Sequence, residues 1–316
     1  MKRSFQSRWS RELQKFIEFR QTYFTSEWPE SALRRFDSWA FAHPGLALPE
    51  AIALWLKRTP QALPVTRSYE LIAIRQFCLY RRRFDPHAYV PHNIVPRIRS
   101  RFRVYILSPN QIKLLVNTID ELPGPPLRLA RLRALFLVLY CTGLRLGEAL
   151  RLRLVDVDLK HAYFRIGPSK GRTRLVPFGT DLATELRIWL DKRRRAGFVL
   201  GPQTPLFERE NGRPDSLGNA GTRFNMLFRR CGFKPPPGSG RVGLRVHDLR
   251  HNYALHRLQN WYRAGLDPSP LLPWLSAYMG HGNLLGTQHY LTATPQRLSA
   301  ASRRFQRSVG FDPVTR

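Results

Sequence analysis

Prolines at 86, 91, 96 and 109 stand between Asp85 and Asn110, and no regular helix can run through that stretch. Proline lacks the amide donor, and its ring clashes with the turn before it. A 316-residue chain has the length for two domains, and this is where it divides. On the N-terminal side apolar residues recur at helical spacing: Leu13, Phe16, Ile17 and Phe19, then Leu33, Phe36, Trp39 and Phe41, then Ile52, Leu54 and Trp55, then Leu71, Ile72, Ile74, Phe77 and Tyr80. Breaks at Pro29, His43-Pro44-Gly45, Pro49 and Pro60 to Pro64 separate these runs. Residues 1–95 are therefore expected to form a bundle of four or five helices.

The spacer, residues 96–107, carries Arg97, Arg99, Arg101 and Arg103. Alternate residues of an extended chain share a side, so the four guanidiniums form a row suited to following a phosphate backbone. An exposed strand edge guarded by charge has the same pattern. Composition bears on the choice. With 52 basic against 22 acidic residues, the net charge of +30 repels itself unless a polyanion neutralises it. The charge runs along the whole chain, not in a tail, which makes nucleic acid the first candidate partner and favours it over a ribosome-like or merely arginine-rich soluble protein.

The second domain, residues 108–316, opens on the helix-start signal Ser108-Pro109-Asn110-Gln111. An apolar-rich helix from Leu127 to Tyr140 ends at Thr142-Gly143. After Leu154 the period switches to alternation: Val155, Val157 and Leu159, then Tyr163, Arg165 and Ile166, then Arg172, Arg174, Val176 and Phe178. This reads as a small antiparallel sheet with a turn at Gly167 to Gly171. Helices resume at about Leu182 to Arg195 and Asn219 to Arg230, and a Pro/Gly loop, Lys234 to Gly240, precedes His247. The expected fold class is mainly α with a small antiparallel β-sheet: a helical N-terminal DNA-binding domain, then an α+β domain.

Cys78, Cys141 and Cys231 are odd in number and far apart, without paired metal spacing, and read as buried reduced thiols. The N-terminus has charge but no apolar core after it, and no stretch reaches membrane-spanning length. The expected compartment is the cytoplasm or nucleoid, with no membrane contact.

Candidate chemistry lies between 142 and 290. Arg145 follows a glycine turn at a helix start, with Glu148 three positions on; alone, this is an ordinary surface ion pair. His247 and Arg250 stand one helical turn apart, so they can address one ligand. Lys170 sits at a hairpin tip, where a solvated lysine is commonplace. Tyr290 lies in Gln288-His289-Tyr290-Leu291, where it can equally be an aromatic anchor. Apolar neighbours make Tyr253, Tyr262 and Tyr278 packing residues.

In order, Thr142-Gly143-Leu144-Arg145 with Glu148, the Lys170-Gly171 hairpin, His247-Asp248-Leu249-Arg250-His251, Gly280-His281 and Tyr290 resemble the tyrosine recombinase (phage integrase) family over Ser108 to Tyr290. Residues 1–95 are similar to the family's core-binding domain only in being basic and helical. The resemblance implies a catalytic domain that cuts and rejoins DNA without metal, ATP or cofactor. It implies that Arg145 and Arg250 clamp the scissile phosphate and that His281 adds a donor. Tyr290 would attack phosphorus to give a 3′-phosphotyrosyl bond, Lys170 would protonate the leaving 5′-oxygen and His247 would assist the tyrosine's proton loss. Glu148 and Asp248 would orient these groups.

The resemblance further implies a homotetramer on two DNA sites, with or without companion recombinases. The wording Leu272 to His281 and Tyr290-Leu291-Thr292 is closer to transposon-borne members than to chromosome-resolving ones. The chain departs from the family in extra length at Asn260 to Pro270, and a tail helix expected at Gln296 to Val309 either docks on the next protomer or packs on its own domain. Rival readings are a non-catalytic DNA-binding homologue, a type IB topoisomerase-like enzyme, and a metal-dependent nuclease. The last needs clustered carboxylates, and Asp156 and Asp158 have no evident partners.

Overall fold

The computed structural model describes residues 4–23, 29–58, 64–92, 104–169, 172–236 and 243–280. The chain divides into two compact units, Met1–Phe102 and Arg103–Arg316. The first contains α1 (Ser10–Gln21), α2 (Glu30–Phe41), α3 (Leu48–Lys57) and α4 (Pro64–Arg81). Helix α4 packs on each of the other three, and the core between them holds Leu13, Phe16, Leu33, Phe36, Trp55, Ile74 and Phe77. Phe41 and Leu54, counted with the core-facing residues from sequence, are exposed. At about 100° per residue, Phe41 falls well off the side marked by Phe36 and Ala40, and Leu54 falls nearly opposite Ile52. The buried carboxylate of Glu70 is satisfied by Arg58 at 3.0 Å and Arg35 at 3.4 Å.

The second unit is mainly helical around a small antiparallel sheet. In order it contains α5 (Pro109–Asp120), α6 (Pro126–Thr142), α7 (Leu146–Arg151), β1 (Val157–Asp158), β2 (Tyr163–Ser169), β3 (Arg172–Pro177), α8 (Thr180–Arg195), α9 (Leu217–Arg230), α10 (Val246–Arg263) and α11 (Leu272–Met279). Ser108 caps α5, its hydroxyl accepting the Gln111 amide at 3.3 Å while the Gln111 side chain accepts the Ser108 amide at 2.9 Å. Helix α6 is apolar nearly all round, as its central position between α5, α8 and α10 requires. It ends at Gly143, left-handed at φ 62°.

The sheet has order β1-β2-β3, with Phe164 opposite Val176 and Ile166 opposite Arg174. Phe164, Ile166 and Val176 face the core. Arg174 shares that inner side of β3, two residues before Val176. Only Cys78 of the three cysteines is buried, and desolvation pushes its thiol up to about 12. Cys141 is exposed and Cys231 part-buried. Sequence neighbours point to different sides of a helix, so apolar neighbours do not bury a cysteine. Among the described residues no helix is long and apolar enough to cross a membrane.

Candidate active site

Gly143 and Gly280 are the two hinges on which the site is built. Each ends a helix in the left-handed region, at φ 62° and 65°, where L side chains are strained. A Cβ on Gly143 would lie 2.7 Å from the Tyr253 ring, and one on Gly280 would lie 2.7 Å from Arg174 Nη1. Both positions therefore need glycine for backbone shape and for close approach.

Just past the first hinge, Arg145 is the N-cap of α7. Its backbone amide donates to Glu148 Oε2 at 3.0 Å, and its Nη1 donates to Glu148 Oε1 at 2.9 Å. The Glu148 side chain is 1% exposed and that of Arg145 33%. A second arginine reaches the same carboxylate: Arg174 donates from Nη2 to Oε2 at 2.9 Å and from Nη1 to Oε1 at 3.2 Å. Burial opposes the charge on Glu148, but the hydrogen bonds from Arg174 and the Arg145 amide, with both positive charges, hold it down to about 2.

Helix α10 supplies the next group. Its first turn is capped by Asp248, fully buried, which accepts the Arg245 amide at 2.9 Å and Arg245 Nη2 at 2.7 Å. One turn into the helix Arg250, only 2% exposed, donates from Nη1 to the Gly143 carbonyl at 2.8 Å. His247, an exposed residue, lies a turn before Arg250, its ring 4.8 Å from that of His251. Partial desolvation, then the charges of Arg250 and Arg145, lower its pKa below the ordinary 6.5 and favour the neutral imidazole. Lys234 is lowered too, by burial and then by Arg229 and Arg245.

The two arginines meet at the end of α11. Arg250 Nη2 donates to the Met279 carbonyl, and Arg145 Nη2 donates to the Gly280 carbonyl at 3.2 Å. Arg174 Nε donates to the Tyr278 carbonyl at 2.9 Å. Three arginines from three separate segments thus take three consecutive carbonyls at the negative end of one helix, where cations are favoured. The turn they hold leads directly to residue 281.

The structure therefore brings together Arg145, Glu148 and Arg250, sets His247 beside them, and turns Asp248 onto Arg245. Lys170, His281, Tyr290 and the row Arg97, Arg99, Arg101 and Arg103 lie outside the described residues, as does the expected tail helix. Tyr253 and Tyr278 are packing residues, stacked at 5.3 Å, and Tyr278 donates its hydroxyl to the Pro177 carbonyl at 2.8 Å. Sequence reasoning missed Arg174. The available signal was its place in the alternation with Val176 and Phe178, a charge where an inward apolar residue belongs. It missed Asn252 as well. That buried side chain accepts the Leu107 amide at 2.6 Å and donates to the Tyr105 carbonyl at 2.8 Å, fastening the first extended residues of the unit to α10.

Residues 106–297 match the phage integrase family. The chain is 34% identical over 304 residues to a putative integrase/recombinase, y4rB, of Sinorhizobium fredii, covering 93% of this chain and 96% of that protein. It is 30% identical over 239 residues to the tyrosine recombinase XerD of Vibrio cholerae, covering 74% and 72%. The fold is similar to that of the Tn1549 transposon integrase in complex with transposon right end DNA, with a TM-score of 0.67 at 16% identity over 94% of this chain and 98% of that one. It is also similar to XerH bound to a palindromic difH substrate, with a TM-score of 0.65 at 17% identity over 96% and 91%. The motifs, the paired arginines on one helix end, and a match running from 106 to 297 converge: this chain belongs to the phage integrase family, the tyrosine recombinases.

Proposed function

We propose that the protein is a site-specific DNA recombinase, acting as integrase or transposase, that cuts and rejoins double-stranded DNA through a 3′-phosphotyrosyl intermediate. The observation that carries this reading is the convergence of Arg145 and Arg250 on the α11 turn immediately before His281, from positions 105 residues apart (250 − 145). The two guanidiniums hold the non-bridging oxygens of one phosphate and stabilise the charge of the pentacovalent state. Tyr290 forms the new O–P bond as the bond to the 5′-oxygen breaks. His247, kept neutral, assists the tyrosine's proton loss, Lys170 gives the leaving oxygen its proton, and His281 donates to the phosphate. Glu148 and Asp248 orient Arg145 and the start of α10. The protein link retains the phosphodiester energy, so attack by another strand's 5′-hydroxyl needs neither ATP nor metal.

The first unit is the core-binding domain in this reading, and Arg97, Arg99, Arg101 and Arg103, in the linker that joins the units, follow the DNA backbone. The working assembly is a homotetramer on two sites, with or without companion recombinases, in the cytoplasm. A nicked-duplex trap tests the chemistry. Duplexes tiled across the DNA bordering the protein's own gene, each nicked near the candidate cleavage point, should capture a covalent protein–DNA band that persists in EDTA. Tyr290→Phe should abolish that band while binding survives; a band that remains in this variant sinks the assignment. Relaxation of supercoiled DNA at any sequence, without exchange between sites, would identify a topoisomerase-like enzyme instead.

A further inference from the structure

We propose that Arg174 is a positioning residue of the strand-transfer site, which leaves net positive charge at Arg145 facing the phosphate by sharing the Glu148 carboxylate and which fixes the α11 turn by holding the Tyr278 carbonyl. The inference rests on the phosphotyrosyl reading of the site.

The first role is one of charge. Arg145 and Glu148 alone would form a neutral pair, and a neutral pair has little attraction for a phosphate. Arg174 adds a second guanidinium to the same carboxylate, with one bond to each oxygen. One anion is then shared by two cations, and the cluster of three keeps a net charge of +1. Geometry decides which cation faces outward. The Arg174 side chain is 12% exposed, between the hairpin and α11, whereas that of Arg145 is 33% exposed. The surplus positive charge is therefore presented at Arg145. The low pKa of Glu148 is consistent with this sharing, because the carboxylate remains ionised while serving both arginines.

The second role follows from position. Arg174 stands on β3, and the same guanidinium that binds Glu148 donates through Nε to the Tyr278 carbonyl, leaving its Nη1 close beneath Gly280. Hairpin, α7 and α11 are thereby fastened through one planar group. A lysine keeps the charge but lacks the fork that serves a carboxylate and a carbonyl together. In sequence, Lys170 stands four residues before Arg174 (174 − 170).

The test uses the full-length protein and the nicked-duplex trap, with DNA binding and thermal melting measured alongside. R174Q should slow single-turnover covalent capture by at least about tenfold, with binding to the same duplex changed by less than about threefold, because the effect is on the step and not on the complex. R174K should recover only part of the rate. The discriminating variant is R174Q combined with E148Q, which restores the net +1 by removing the anion; it should capture DNA faster than R174Q alone. A role in folding only would not produce that recovery. Capture by R174Q at the wild-type rate overturns the proposal. So does a folded double variant no faster than R174Q, and so does failure of both to fold, which would assign Arg174 to stability alone. Should R174Q alone fail to fold, a double variant capturing near the wild-type rate supports charge sharing, and a slow, folded one overturns it. Absence of any Tyr290-dependent capture by the wild-type protein is a separate result: it removes the phosphotyrosyl reading and this inference with it.

Discussion

A methyl group added at Gly280 would meet the Arg174 guanidinium at 2.7 Å on a backbone already at φ 65°. Gly280→Ala is therefore expected to destabilise the protein by more than about 1 kcal/mol and to slow cleavage beyond what the loss of stability explains; thermal melts with single-turnover capture measure both. Glu148 sets an acid-side prediction. Its carboxylate sits at about 2, below the ordinary 4.5, so the stability it contributes is present above 4.5 and is lost as pH falls toward 2. E148Q should flatten that part of an acid-unfolding curve. His247 is also depressed, from 6.5, so the unfolded chain takes up its proton first. Its contribution is lost as pH falls below 6.5, and its neutral form should persist at lower pH than a free imidazole's. Followed by NMR, the His247 titration should move to higher pH if Arg145 is replaced by glutamine, because one of the charges opposing protonation is gone.

At the scale of elements, much of the framework was legible. Ser108 and Gln111 marked the start of α5, Thr142-Gly143 the end of α6, and the alternation from Tyr163 to Phe178 the hairpin. Local chemistry writes these signals, and the fold obeys them. The partners of Glu148 were only half legible. The i, i+3 spacing announced Arg145, but Arg174 is 26 positions away (174 − 148) and reaches it only because the strand face turns inward. Asn252 was illegible for a similar reason, since its partners Tyr105 and Leu107 are joined to it only by the packing of α10. Asn252→Ala leaves a buried amide and a part-buried carbonyl without that partner, and about 1–3 kcal/mol of stability should be lost. Chemical denaturation of the full chain measures it. An unchanged midpoint would mean that the extended segment is held by other interactions, such as that between His256 and the Leu107 carbonyl.

For the molecule as a whole, a charge of +30 makes binding a matter of displaced counterions. Affinity for duplex DNA should fall steeply with salt. Replacing Arg97, Arg99, Arg101 and Arg103 by glutamine should reduce the log–log slope by about 0.9 for each phosphate that is no longer neutralised. Anisotropy titrations at several salt concentrations check this, and an unchanged slope would remove the row from the DNA. The mixed fold and the motif order could be read in the chain; which arginine takes which carbonyl could not, because that depends on three distant segments meeting. The meeting at Tyr278, Met279 and Gly280 also bears on how such a chain can diverge. The grip comes from outside the connection between α10 and α11, so residues 264–271 can gain or lose length while the last turn of α11 keeps its anchorage. A single residue inserted within that turn would misalign all three attachments at once. The molecule thus has a tolerant stretch beside an intolerant one, and new length, with whatever new surface it carries, can accumulate in the first without disturbing the second.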